Sequence, residues 1–252
     1  MPRRPPRTPL PLLLLAALLV AAPAGRASAG DIFGPSNGLQ LWPELDVIHG
    51  FAGSFRVIGK LEPAYTPSAG NQVMGLSLYG GWMVAPFTDA LLSPDLAKRR
   101  RLDVRVGVSW YPTTEAGDVG WSNQLRLDTE ATMRTNLPGG VLATLRGRVE
   151  AQWELDAPTS FEWRLRIRPQ LEREFVLSRE AGTSLTPFAN VELIWTTAQD
   201  MWSQFRIQAG LQLGVNWFWK GQVIELNGQV ITYLQPSRSH APVIGLVWYQ
   251  YL

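Results

Sequence analysis

From Leu102 to Tyr111 the chain alternates without a break: Leu102, Val104, Val106, Val108 and Trp110 form one row, and Asp103, Arg105, Gly107, Ser109 and Tyr111 the other. The contrast sharpens from Phe161, where Phe161, Trp163, Leu165 and Ile167 alternate with Glu162, Arg164, Arg166 and Arg168. A period of two puts successive side chains on opposite faces of an extended strand, whereas no helix would sort these residues onto two faces. The same pattern predicts strands near Leu39–Ile48, Phe55–Tyr65, Met74–Val84, Trp121–Arg134, Val141–Leu155, Pro187–Trp195, Phe205–Trp217, Val223–Leu234 and Val243–Leu252. Each is about ten residues or longer, the length a tilted strand needs to cross a bilayer. Between them stand turn formers: Ser68 to Asn71, Glu115 to Asp118, Pro138-Gly139-Gly140, Ala157-Pro158-Thr159, Glu180-Ala181-Gly182 and Lys220-Gly221. This reading counts eleven strands. Single-chain bacterial barrels have even numbers, so the expectation is twelve, or ten if one segment stays outside the wall.

Alternation alone also suits a soluble β-sandwich, with polar rows in water and apolar rows meeting across a core. Sandwiches need long crossing loops, however, and most connections here are tight, as an up-and-down meander requires. Tryptophans gather beside alternate turns, as Trp110 and Trp121, Trp153 and Trp163, and Trp195 and Trp202. Alternate turns of a meander share one rim, so these residues predict an aromatic girdle at a membrane interface. The predicted fold is therefore all-β: a transmembrane antiparallel up-and-down barrel formed by one domain over residues 30–252.

Composition agrees with that architecture. Mean hydropathy is only −0.04 although 11 tryptophans are present, as expected where lipid-facing and lumen-facing residues average out along each strand. With no cysteine, the chain has no disulfide, thiolate ligand or cysteine nucleophile. The first residues read as a secretory signal peptide over 1–29. Arg3, Arg4 and Arg7 precede an apolar segment from Leu10 to Ala22, and Ala27-Ser28-Ala29 supplies the cleavage pattern. Four arginines, including Arg26, leave with it and no acidic residue does, which turns 23 basic against 21 acidic residues into a slight acidic excess. The pI of 9.1 then carries no argument for nucleic acid. Export without a membrane-spanning helix predicts the outer membrane of a Gram-negative bacterium, with lipids, lipopolysaccharide and the barrel assembly machinery as partners. The segment 87–101, with the run Lys98-Arg99-Arg100-Arg101, reads as an external, solvated loop.

Three stretches carry a family resemblance: Leu41-Trp42-Pro43-Glu44-Leu45-Asp46 followed by Phe55-Arg56-Val57; the Arg164, Arg166, Arg168 row; and Val191-Glu192-Leu193 followed by Phe205-Arg206-Ile207. On these the chain resembles an uncharacterised outer-membrane β-barrel-like family, a domain of unknown function. In general build it is similar to porins that pass acidic oligosaccharides. The resemblance implies fold and location, and no activity.

If apolar rows meet lipid, polar rows fill the lumen. On three successive strands they run Arg126, Asp128, Glu130, Arg134; Arg146, Arg148, Glu150, Glu154; and Arg164, Arg166, Arg168, Glu172, Glu174. Arg56, Lys60, Arg105 and Arg206 join them. Neighbouring strands lie about 4.8 Å apart, so opposite charges can pair across the wall. Two functions follow. A surplus of arginine makes a small porin-like channel or binder for small anionic solutes, since guanidinium forks grip carboxylate and phosphate. Alternatively, Arg and Glu neutralise one another in a plugged, structural barrel. The site residues expected on the solute path are Arg126, Glu130, Arg146, Arg148, Glu150, Arg164, Arg166, Arg168 and Arg206.

An enzyme is not expected, and no cofactor motif is recognisable. A lipid hydrolase at the rim would need His49 or His240 as base, with Ser54, Ser237 or Ser239 nearby. In an even-stranded barrel the first and last strands are antiparallel, which places both histidines at one rim. Two histidines without a third ligand make a poor metal site. The last strand ends Trp248-Tyr249-Gln250-Tyr251-Leu252, aromatic but without an aromatic final residue.

Overall fold

Extended segments with one greasy and one polar edge stay isolated only at a cost, because their backbone N–H and C=O groups need partners. The computed structural model describes residues 38–51, 54–66, 71–86, 95–114, 122–156, 161–198, 200–216, 221–234 and 239–252. These form twelve strands: β1 Gln40–Phe51, β2 Phe55–Thr66, β3 Asn71–Pro86, β4 Arg100–Thr114, β5 Ser122–Leu137, β6 Val141–Glu154, β7 Phe161–Arg173, β8 Phe175–Ser178, β9 Thr183–Thr196, β10 Met201–Val215, β11 Gln222–Tyr233 and β12 Ser239–Tyr251. The predicted signal peptide, residues 1–29, lies outside the described residues.

Each neighbour pair along the chain is antiparallel, and β12 returns to β1, so the sheet closes into a barrel. Eleven strands make the closed wall, and each corresponds to one of the segments predicted from alternation. The twelfth, β8, is a short continuation: the backbone breaks at Glu174, after which Phe175 resumes pairing with Leu185 of β9. The turn at Pro138–Gly140 and the turns closed by Gly182 and Gly221 use glycines at φ of 63° to 78°, as their turn chemistry predicts.

An odd wall changes the closure. With eleven positions, β1 and β12 run the same way, and their pairing is parallel, from Gln40 against Val243 to Ile48 against Tyr251. The expected all-antiparallel closure is thus corrected at one seam. The rim where β1 begins is here the first rim, and the opposite one, where β12 ends, the second rim. His49 stands near the end of β1 at the second rim and His240 near the start of β12 at the first. The supposed histidine pair does not form, because parallel neighbours put like ends together.

The two faces are sorted inside out relative to a soluble domain. On β5, Glu130 is 1% exposed and Met133, three residues on, 61% exposed. Outward rows carry Leu76, Leu78, Val106, Leu127, Ile207, Leu226, Ile244 and Leu246, all exposed, whereas Asp103, Arg126, Glu150 and Arg164 are buried inside. Contiguous exposed apolar surface of this extent marks a surface made for a non-aqueous neighbour. Trp110, Trp153, Trp163, Trp195 and Trp202 lie on strand ends at the first rim, as the girdle predicts, while Trp121 lies outside the described residues. Phe51, Phe55, Trp82 and Trp248 mark the second rim.

Small apolar clusters and two tyrosine–glycine pairs tie the inner face of β3 and β4 together. The Tyr79 ring lies across Gly107, its register partner, and the Tyr111 ring covers Gly75, so a Cβ at either glycine would overlap the ring. Substituting Gly107→Val is expected to destabilise the barrel by about 1–3 kcal/mol, read from the urea midpoint of its heat-modifiable gel band. Adding Tyr79→Ala should recover part of that loss. The seam is checked with paired cysteines, free of native competitors. Leu41→Cys with Ile244→Cys, and separately Leu45→Cys with Trp248→Cys, should both cross-link by non-reducing gel; antiparallel closure cannot satisfy both registers.

Candidate functional site: a charged lumen

Placing the polar row inward forces charges into a bore too narrow to hydrate them freely, so each needs a partner. Register decides which. Across β6 and β7, Arg146 stands opposite Arg168 and Arg148 opposite Arg166. Like charges facing each other directly are unfavourable, and acids on β6 itself and on the flanking strands offset them. Glu130 on β5 accepts from Arg148 at 2.8 Å and lies 3.5 Å from Arg146 and 3.6 Å from Arg105. Glu150 binds Arg166 at 2.8 Å and Arg148 at 3.4 Å. Glu192 on β9 reaches Arg146 at 3.2 Å, Arg206 at 3.6 Å and Arg166 at 3.9 Å.

All nine expected path residues face inward. Arg146, Arg148, Arg166 and Arg206 join the network of Glu130, Glu150 and Glu192, Arg164 pairs with Glu162 at 3.3 Å, and Arg126 and Arg168 stand apart from the carboxylates. Asp103 on β4 and Glu162 on β7 face the lumen as their polar rows predict, and further acids join them there: Glu44, Asp46 and Glu62 on β1 and β2, Glu192 on β9 and Glu225 on β11. The same period-two parity, applied to those strands, identifies them. Lys60 is bonded to Glu44 and lies 3.2 Å from Asp46. Arginine is therefore not in general surplus.

What is left over is asymmetric. Carboxylates without a cation are held by neutral donors: Asp128 by Tyr79 at 3.0 Å, Glu62 by Ser77 and Tyr111 at 3.0 Å, and Glu225 by Asn227 and Gln212 at 2.8 Å. Among the described residues, Arg126, Arg134 and Arg168 have no carboxylate within ion-pair distance. Nη2 of Arg126 and Nη1 of Arg134 are buried without a hydrogen-bond partner. Arg134 and Arg168 line a lumen cavity of about 300 Å³, and Arg126 a second one of about 130 Å³ towards the first rim.

Among the described residues, one connecting segment enters the bore. The connection between β3 and β4, expected as an external loop, folds inward at its end. The 3-10 turn Leu96–Arg99 is capped by Asp95, whose carboxylate accepts from the Ala97 N–H at 2.9 Å, and Ala97 is fully buried. Arg56 on β2 binds Asp95 at 3.1 Å, and Lys98 reaches Glu172 on β7 at 2.7 Å and Gln212 on β10 at 2.8 Å. Those strands stand on opposite sides of the ring, so the turn bridges the lumen near the second rim. Four of the expected surface charges thus begin with one, Lys98, that is committed inside. Burial by itself would raise the Asp95 carboxyl, but Arg56, with Arg134, Lys98 and Arg105, holds it below the usual carboxylate value. The anchor is therefore charged at neutral pH and is lost as pH falls through that lowered value.

No protein-family model matches the chain, and no curated protein matches it. Among solved structures it is similar to the β domain of the Bordetella autotransporter BrkA, at 15% identity and a TM-score of 0.46, over 79% of this chain and 82% of that one.

The network makes Glu130 its most demanding member. Glu130→Gln should destabilise the barrel by about 3–5 kcal/mol, because arginines are left buried with one carboxylate fewer. Urea titration of the heat-modifiable band measures it, with the exposed turn substitution Glu180→Gln expected to leave the midpoint unchanged.

Proposed function

We propose that the chain is an integral outer-membrane barrel of a Gram-negative bacterium whose lumen is a narrow passage for small anionic solutes. The membrane setting is supported by the outward apolar rows and by the aromatic residues at both rims. Lipids and lipopolysaccharide are then its natural surroundings, and the barrel assembly machinery its route there. The anionic preference rests on one observation: the lumen cations without a carboxylate partner line the cavities, while Glu62 and Glu225, the acids there without a cation, already accept from hydroxyls and amides. A solute carboxylate or phosphate would complete what the protein leaves open, by charge-assisted hydrogen bonds. The reading assigns no catalysis.

A plugged barrel is the second reading, and the bridging turn favours it. Asp95 and Lys98 tie the segment to both sides of the ring. Barrels of about eight strands are filled by side chains and those of sixteen or more hold channels, so eleven leaves the turn to decide.

Refolded protein in planar bilayers separates the two. The passage predicts stepwise conductance with a reversal potential favouring anions. Arg168→Glu should move that potential towards cation selectivity, and Lys98→Ala should raise conductance by removing one anchor of the turn. A barrel that stays silent as wild type and as Lys98→Ala overturns the passage and leaves the plugged reading.

A further inference from the structure

The cavity of about 130 Å³ towards the first rim is built from two unlike halves. Strands β1, β3, β4 and β11 contribute Trp42, Val73, Tyr111 and Ile231, and the facing strands contribute Arg126, Arg148, Arg166 and Arg206. The apolar half is packed in its own right: Val73 and Tyr111 form a buried cluster against Trp42 and Ala64, and Ile231 belongs to another that also packs against Trp42. The cationic half is pinned to the aromatic one. Arg126 lies 4.2 Å over the Tyr111 ring and Arg206 5.7 Å over the Trp42 ring, a geometry in which guanidinium and ring attract one another.

Within that half the arginines differ in what they have left to give. Arg148 and Arg166 bind Glu150, and Arg206 binds Gln204 and lies near Glu192. Arg126, only 3% exposed, donates through Nε to Gln124 at 2.6 Å, while its Nη2 is buried with no hydrogen-bond partner. The Trp42 Nε1 is likewise buried without one. The two acids at the cavity do not answer them: Glu62 accepts from Tyr111 and Ser77, and Glu44 is engaged by Lys60. A buried guanidinium with an unused N–H, lining the same cavity as an indole N–H also unused, asks for an acceptor that carries negative charge. The rest of the cavity asks for apolar surface.

We infer that this cavity is a binding site for an amphipathic monoanion, a carboxylate attached to a single ring or a short apolar chain. The carboxylate takes the free donors of Arg126 and Trp42, and the apolar body packs on Trp42, Tyr111, Val73 and Ile231. A cavity of about 150 Å³ accommodates benzene, so one ring is of the right size. This rests on the anionic-passage reading and narrows it, from small anions in general to those with an apolar part.

Isothermal titration of the detergent-refolded full chain tests it, with phenylacetate, acetate and 2-phenylethylamine as probes. Phenylacetate should bind at least about tenfold more tightly than acetate, the difference expected of one buried apolar group, and the amine should not bind. Arg126→Gln should weaken phenylacetate about tenfold or more. Arg126→Lys, which keeps the charge and loses the fork, should weaken it less. Trp42→Ala should reduce the preference for phenylacetate over acetate. Heat-modifiable mobility confirms that each variant folds, and phenylacetate block of the wild-type chloride conductance gives a reading that needs no variant. Phenylacetate binding no tighter than acetate, or unchanged in Arg126→Gln, overturns the site. If that happens while anion-selective conductance persists, the passage stands and only the site falls. A silent barrel that still binds phenylacetate through Arg126 keeps the site and removes the passage.

Discussion

Closing the sheet is the constraint on which everything else in this molecule depends. An open edge leaves a row of unpaired N–H and C=O groups, which is a liability in water and prohibitive in hydrocarbon. Here each wall strand has a neighbour on both sides, and the last gap is filled by β1 against β12. Because eleven strands make the ring, one seam must be parallel. That single consequence of parity sends His49 and His240 to opposite rims and leaves the start of β1 and the end of β12 at opposite rims too.

Closure then dictates the interior. A ring of eleven strands is wide enough to hold long side chains and too narrow to surround each with water, so the inward row has to solve its own electrostatics. It does so by shared acids rather than by simple pairs. Glu130 serves three arginines on two strands, and Glu192 serves three on three. Such sharing reconciles the two arginine pairs that face each other across β6 and β7. It also leaves particular donors of Arg126 and Arg134 buried without a hydrogen-bond partner, on side chains that line the lumen cavities. The turn carrying Asp95 and Lys98 adds a bridge across the lumen near one rim.

Much of this was legible in the residues themselves. Period-two alternation located all eleven wall strands, because the steric and hydrophobic preferences that make a strand two-faced act over a few residues. It also placed Arg126, Arg146, Arg148, Arg164, Arg166, Arg168 and Arg206 on the inner face, together with Glu130 and Glu150. The acids Glu44, Asp46 and Glu225 obey the same parity, so their inward placement is encoded in the same local pattern.

By itself, then, the sequence determined which side chains face in and which face out, since that follows from local backbone geometry repeated along each segment. Three things were decided only by tertiary structure. The strand total set the direction of the closing seam; the register set Arg146 against Arg168 and Arg148 against Arg166 rather than against acids; and the end of the β3–β4 connection turned into the lumen instead of outward. Each depends on residues brought together from distant parts of the chain, as with Lys98 and Gln212. No property of a short segment encodes such a meeting, because a shift of one residue in a strand or one strand in the ring would leave every local pattern intact and change every partner.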